Sequence, residues 1–154
     1  MSTVESSPAA ERRSRRRLQW TLAVLAAVPA ASAGRELVLG PQGVPGGSPD
    51  VTPTVDSALR YANVFKFAVG PVIWSQLGRV ERSPGVTYAL ASLFVGGFAR
   101  LRSWQQRGRP HPVTVGAVVL EIAAPPLLIA WQRRIRTRSR RRSTNATARR
   151  DGRE

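Results

Sequence analysis

Four charged residues lie where the sequence is otherwise apolar: Arg60, Lys66, Arg100 and Glu121. Lys66 sits inside ALRYANVFKFAVGPVIWSQLG and Glu121 inside PVTVGAVVLEIAAPPLLIAW. A carboxylate and an ammonium in such surroundings can pair, neutralise a charged ligand or carry a proton. They need a reason to be there, because a lone charge at the centre of an apolar helix costs about 2.5–3.5 kcal/mol in a bilayer. Little else offers chemistry. The absence of Cys excludes disulfides, a thiol nucleophile and Cys-ligated zinc or iron–sulfur sites. His111 is the only His, so a multi-His metal centre is impossible and a Ser-His-Asp triad has a single base to draw on. No catalytic constellation is visible, and the expectation is a protein that is not an enzyme and needs no metal or cofactor.

The elements that would position these residues are four apolar segments at 18–33, 58–78, 85–103 and 112–131. Each is close to the ~20 residues that cross a ~30 Å hydrocarbon core as a helix. A bundle in water would need a polar face recurring at helical spacing, which segments three and four lack. With 154 residues there is room for one domain. The expected fold is all-α, an integral membrane four-helix bundle over 18–134. Disordered basic tails at 1–17 and 135–154 complete the chain.

Charge sets the orientation. The formal net charge is +15, with five Arg between Arg12 and Arg17 and ten more from Arg133 onward. Such clusters beside the first and last spans place both termini in the cytoplasm of a cell whose cytoplasmic (inner) membrane holds the protein. The turn RVERSP (79–84) is then cytoplasmic, and residues 34–57 and 104–111 face outward. Arg100, Arg102, Arg107 and Arg109 disagree, crowding the outer end of span three. Segment one also has the form of a secretory signal, with Ala31-Ser32-Ala33 as its small-residue cleavage site. Residues 34–57, rich in Gly and Pro, read as an irregular cap in which Leu37–Leu39 dips toward the interface.

Several local sequences together resemble a family. They are Val55-Asp56-Ser57-Ala58-Leu59-Arg60-Tyr61, then Gly96-Gly97-Phe98-Ala99-Arg100-Leu101-Arg102-Ser103, then Gly108-Arg109-Pro110. Leu120-Glu121, Pro125 and Trp131-Gln132-Arg133 complete the set. Over residues 18–134 the chain resembles the small bacterial membrane proteins catalogued as domain of unknown function 4345. The resemblance implies four membrane helices and an uncharacterised activity, with Arg60, Arg100 and Glu121 among the shared marks. Lys66 and the long Arg-rich tails depart from that pattern.

Glu121 lies about 13 Å into span four and Lys66 about 12 Å into span two, both counted from the outer side. Matched depth predicts a polar pocket in the outer half of the bundle, with Glu121 neutralised by Lys66 while Arg60 and Arg100 guard the mouth. An ion-pair network that only fixes helix register would use the same residues. Pro125 and Pro126 cannot donate to the carbonyls of Glu121 and Ile122, and Pro71 frees that of Phe67, so kinks near one depth would make room. Proline is also simply common in membrane helices.

Ala89, Ser92, Gly96, Ala99 and Ser103 recur at helical spacing as a small-residue stripe. The stripe predicts close packing within the bundle, with a homodimer seam as the alternative. Trp20, Trp74, Trp104 and Trp131 suit interfacial anchors. Anionic lipid headgroups are the expected partners of the Arg-rich tails. Base-specific nucleic-acid binding is unsupported, since no aromatic residue follows Trp131. The functional expectation is a binding, accessory or scaffold protein with a pocket around Glu121, working with a partner membrane protein or a second copy. The alternative is a subunit of an oligomeric proton- or cation-coupled transporter or channel.

Overall fold

A computed structural model describes the backbone of residues 8–151 and the side chains of residues 9–139. It is all-α, with four long helices, two short 3-10 turns and no strand among the described residues. The helices are α1 (Pro8–Leu39), α2 (Pro53–Gln76), α3 (Pro84–Arg107) and α4 (Pro112–Asp151).

Their ends follow from local chemistry. Thr52-Pro53, Ser83-Pro84 and His111-Pro112 each put an acceptor side chain ahead of a proline whose missing N–H is no loss in a first turn. The Thr52 and Ser83 hydroxyls accept from the backbone N–H of Val55 and Val86, both at 3.3 Å. His111 Nδ1 accepts from Val113 at 3.3 Å. At the other ends, α1 stops where Gly40 turns left-handed (φ 60°) before Pro41, and α3 stops at Gly108 (φ 91°).

Two expectations about irregular segments are corrected. Residues 34–39 continue α1, and Gly40–Gly43 form a 3-10 turn, so the irregular part of the outer loop is only 44–52. No proline occurs between Pro29 and Pro41, so nothing stops the helix until Gly40. The helix passes unbroken through Ala31-Ser32-Ala33, and Ala33 is fully buried. The C-terminal segment expected to be disordered continues α4 to Asp151. Arg and Ala are strong helix formers, and no Gly or Pro interrupts 127–151. Ile135 belongs to the buried core, and the Ser139 hydroxyl donates to Glu11 Oε1 at 2.8 Å. The folded body therefore extends past residue 134. Expectations for residues 1–7 and 152–154, and for the side chains of 140–151, lie outside the described residues.

Packing makes two hairpins, α1 on α2 and α3 on α4. Leu18, Leu22, Ala26, Ala30 and Ala33 form the buried face of α1 at spacings of four and three. Gly70 of α2 lies against this face so closely that a β-carbon there would come within 2.8 Å of Ala30 Cβ. The expected stripe on α3 is corrected. Ala89 is buried, but Ser92 and Ala99 are exposed and nothing stands within 4 Å of a β-carbon built on Gly96. The packing face of α3 is Val86, Leu90, Leu93 and Gly97, one step around the helix.

α1 and α4 are each long and apolar enough to cross a membrane. Only 28 % and 17 % of their most apolar windows is buried within the protein, whereas the core helix of a soluble protein is mostly buried. α2 and α3, at 24 residues, reach about 36 Å, but their most apolar windows fall below those of α1 and α4 in mean hydropathy. Apolar side chains face outward on all four helices, among them Val28, Phe65, Val95, Phe98 and Leu127.

Candidate functional site

Between the two hairpins lies a cavity of about 110 Å³. Its walls are mostly apolar. Leu22, Leu25 and Pro29 come from α1, Leu90 and Leu93 from α3, and Ala117, Ala124 and Leu128 from α4. Its end nearest the loop between α1 and α2 is polar, where Glu36, Lys66, Arg100 and Glu121 all reach the wall beside Ser32, Thr114 and Pro45. Three of the four predicted pocket residues are thus brought together.

The pairing differs from the expected one. Lys66 Nζ lies 2.9 Å from Glu36 Oε1, and Arg100 Nε lies 3.3 Å from Glu121 Oε2. Glu121 is therefore neutralised chiefly by Arg100, not by Lys66. The physical reason is that each charge finds its partner inside its own hairpin, where two packed helices hold the ends close. A residue on α2 must reach across the cavity to Glu121. Glu121 Oε2 is buried and accepts no hydrogen bond, so its contact with Arg100 is an ion pair of poor hydrogen-bond geometry. The Glu121 side chain still contributes to the cavity lining.

Arg60 is absent from the cavity lining and does not guard a mouth. Its guanidinium pairs with Asp56 at 3.0 Å and donates to the carbonyls of Leu37 and Val38. It closes the C-terminus of α1, whose last carbonyls have no partner in their own helix. Gly40 makes room for it, because a β-carbon there would come within 2.6 Å of Arg60 Nη2 and 2.5 Å of Asp56 Oδ1.

Pro125 lines the cavity, one turn beyond Glu121, while α4 continues through both Pro125 and Pro126. Pro71 also lies inside a continuous helix and does not line the cavity. Pro29 of α1 does, and its missing N–H frees the carbonyl of Leu25 on the opposite wall. Sequence reasoning missed Pro29 and Glu36. Glu36 was hidden by the assignment of residues 34–57 to a loop, although it is only 7 % exposed.

At the opposite end of the bundle, polar contacts tie α1 and α4 to each other and to the α2–α3 connection. The Gln132 amide donates to the carbonyls of Val80 (2.7 Å) and Ser83 (3.0 Å) and accepts from the Thr87 hydroxyl (3.0 Å). Trp131 Nε1 donates to Ser14 Oγ at 3.0 Å, and Gln19 Nε2 donates to the Leu77 carbonyl at 2.7 Å. Arg15 pairs with Glu81 at 3.1 Å. At the end nearest the α1–α2 loop, no hydrogen bond or ion pair among the described residues links one hairpin to the other. There the outer loop only rests on the α3–α4 turn, with a β-carbon on Gly46 falling 3.4 Å from His111.

No curated protein and no solved structure matches the chain. The family model described as "Domain of unknown function (DUF4345)" matches residues 17–132, a stretch that runs from Arg17 in α1 to Gln132 in α4 and takes in the cavity and both of its ion pairs. The chain belongs to that family.

Proposed function

We propose that this is a four-span protein of the cytoplasmic membrane, with both termini inside, that holds an amphiphilic small molecule between its hairpins. The carrying observation is the cavity itself, apolar along most of its length and ending at the charged side chains of Glu121, Arg100, Lys66 and Glu36. A hydroxyl or amide on the ligand would donate to Glu121, and its apolar part would lie along Leu25, Leu90 and Leu128. At about 110 Å³ the space exceeds the ~30 Å³ share of one water and suits a slim chain or a ring, not a whole lipid. Supporting the membrane placement are the two strongly apolar helices and the outward apolar side chains on all four. The Arg clusters at the inner end support the orientation.

The alternative, a subunit of a proton- or cation-coupled carrier, draws less support. Arg100 already stands 3.3 Å from Glu121, where a transported cation would have to bind.

The test is extraction of the purified protein in mild detergent, followed by mass spectrometry of the small molecules retained. One amphiphile should co-purify with the wild-type chain near equimolar amount. Ala117→Trp, which fills the cavity, should lose it, and Glu121→Leu should lower it. Identical profiles for wild type and Ala117→Trp would overturn the reading.

A further inference from the structure

The inner end of α1 carries five Arg, and they are not equivalent. Arg15 is spent on Glu81 and on the carbonyl of Gly78. Arg13, Arg16 and Arg17 recur with Trp20 at spacings of three, one and three, which is a single helical face, and all four are exposed. None of the three Arg has an acidic partner among the described residues. With Thr21 of α1 and Trp131 of α4, they line an open groove of about 440 Å³ between the first and last helices. Trp131 is held there by its bond to Ser14, and the Trp20 ring is 70 % exposed. Thr21 precedes Leu22, and Trp131 follows Leu128 by three residues. The groove therefore lies at the inner end of the seam whose apolar part is the cavity wall.

We propose that this groove is a binding site for the headgroup of an anionic phospholipid in the inner leaflet. Guanidinium groups at one helical face give charge-assisted, forked donation to a phosphate. The Thr21 hydroxyl adds a neutral donor, and the two indoles sit where headgroup meets acyl chain. A second basic groove on α4, lined by Arg133, Arg134 and Arg138, holds no aromatic ring and offers no comparable cradle. Charge complementarity selects the occupant. A free phosphate would satisfy the Arg but leave Trp20 exposed, whereas a lipid covers both.

The inference rests on the membrane reading only as far as α1 and α4, the two helices apolar enough to cross. It does not need the Glu121 ligand. The test reconstitutes the full chain in phosphatidylcholine vesicles containing a rising fraction of phosphatidylglycerol with brominated chains, and reads quenching of tryptophan fluorescence. Brominated phosphatidylcholine is the reference arm, and inorganic phosphate is added as a competitor.

The wild-type chain should prefer phosphatidylglycerol by about tenfold. Arg13→Gln/Arg16→Gln/Arg17→Gln should cut that preference to about twofold or less. Arg140→Gln/Arg141→Gln/Arg142→Gln removes equal charge and should leave most of it. If the first triple variant is not recovered, Arg16→Gln alone should lower the preference about threefold against no change for Arg141→Gln. Equal losses from both triples would overturn the site in favour of diffuse attraction, as would a wild-type chain without preference. Displacement by millimolar phosphate would show a free-anion site and overturn the lipid assignment. Ala117→Trp should keep the full preference, so failure of the cavity ligand and failure of this site are read separately.

Discussion

Gly97 of α3 lies directly against Glu121 of α4: a β-carbon on Gly97 would stand 3.1 Å from Glu121 Cβ and 2.9 Å from Ile122 Cγ1. The missing side chain is what lets the two helices approach at the depth of the buried carboxylate, and it helps hold Glu121 within reach of Arg100. Its neighbour Gly96 faces open space.

That contrast gives a sharp pair of variants. Gly97→Leu should destabilise the folded protein by about 1–3 kcal/mol or more, the usual cost of overpacking a tight contact. Gly96→Leu should stay within about 0.5 kcal/mol of wild type. Unfolding in mixed detergent micelles measures both. A reversed order would return the packing face of α3 to the Ser92–Gly96 stripe.

The Glu36–Lys66 pair is well shielded, with side-chain exposures of 9 % and 19 %. Removing one partner strands the other, so Lys66→Met or Glu36→Leu alone should cost about 2–5 kcal/mol. The double variant should recover much of that loss, because no unpaired charge remains. The same unfolding assay decides it, and an additive double variant would mean the two charges do not act as a pair.

Gln132 makes three bonds from one buried amide. Gln132→Leu would leave the carbonyls of Val80 and Ser83 without their donor, at about 1–3 kcal/mol for each group left unmet. Hydrogen exchange of the backbone amides over residues 77–87 should rise by an order of magnitude or more. Protection as in wild type would show the turn to be held by Arg15 and Gln19 alone.

Because the chain has no Cys, single cysteines report topology without background. With four spans, Ser48→Cys and Gln106→Cys should react with an impermeant maleimide on intact cells, and Gly78→Cys only after the membrane is opened. If α1 and α4 alone cross, Gly78→Cys labels from outside as readily as the other two.

Much of this architecture was legible beforehand, for identifiable reasons. The apolar segments 18–33, 85–103 and 112–131 fell inside the observed helices, while 58–78 began five residues after the true start of α2 at Pro53 and ran two past its end at Gln76. The small residues of α1 at spacing four were equally readable. The Ser92–Gly96 motif misled, because small residues at helical spacing do not say which side of their helix is covered. The depth argument for Lys66 and Glu121 placed both on the lining of one cavity, but depth carries no information about which partner is nearer. That was decided by hairpin pairing, and by Glu36, which the proline-rich composition of residues 34–57 had concealed. Arg60 was misplaced for the same reason. Its role exists only because α1 ends beside it.

The uneven distribution of polar ties has a mechanical result. Tied at one end through Trp131 and Ser14 and through the α2–α3 connection that Gln132 and Arg15 hold, and touching only by van der Waals contact at the far end, the hairpins form a pair of jaws with a fixed pivot. Spreading the free tips stretches neither the Glu36–Lys66 nor the Arg100–Glu121 bridge, since each travels with its own arm. In the membrane placement proposed above, the squeeze of the surrounding leaflet would set the gape of the cavity, and a bilayer of altered lateral pressure would grade it without any change in the protein.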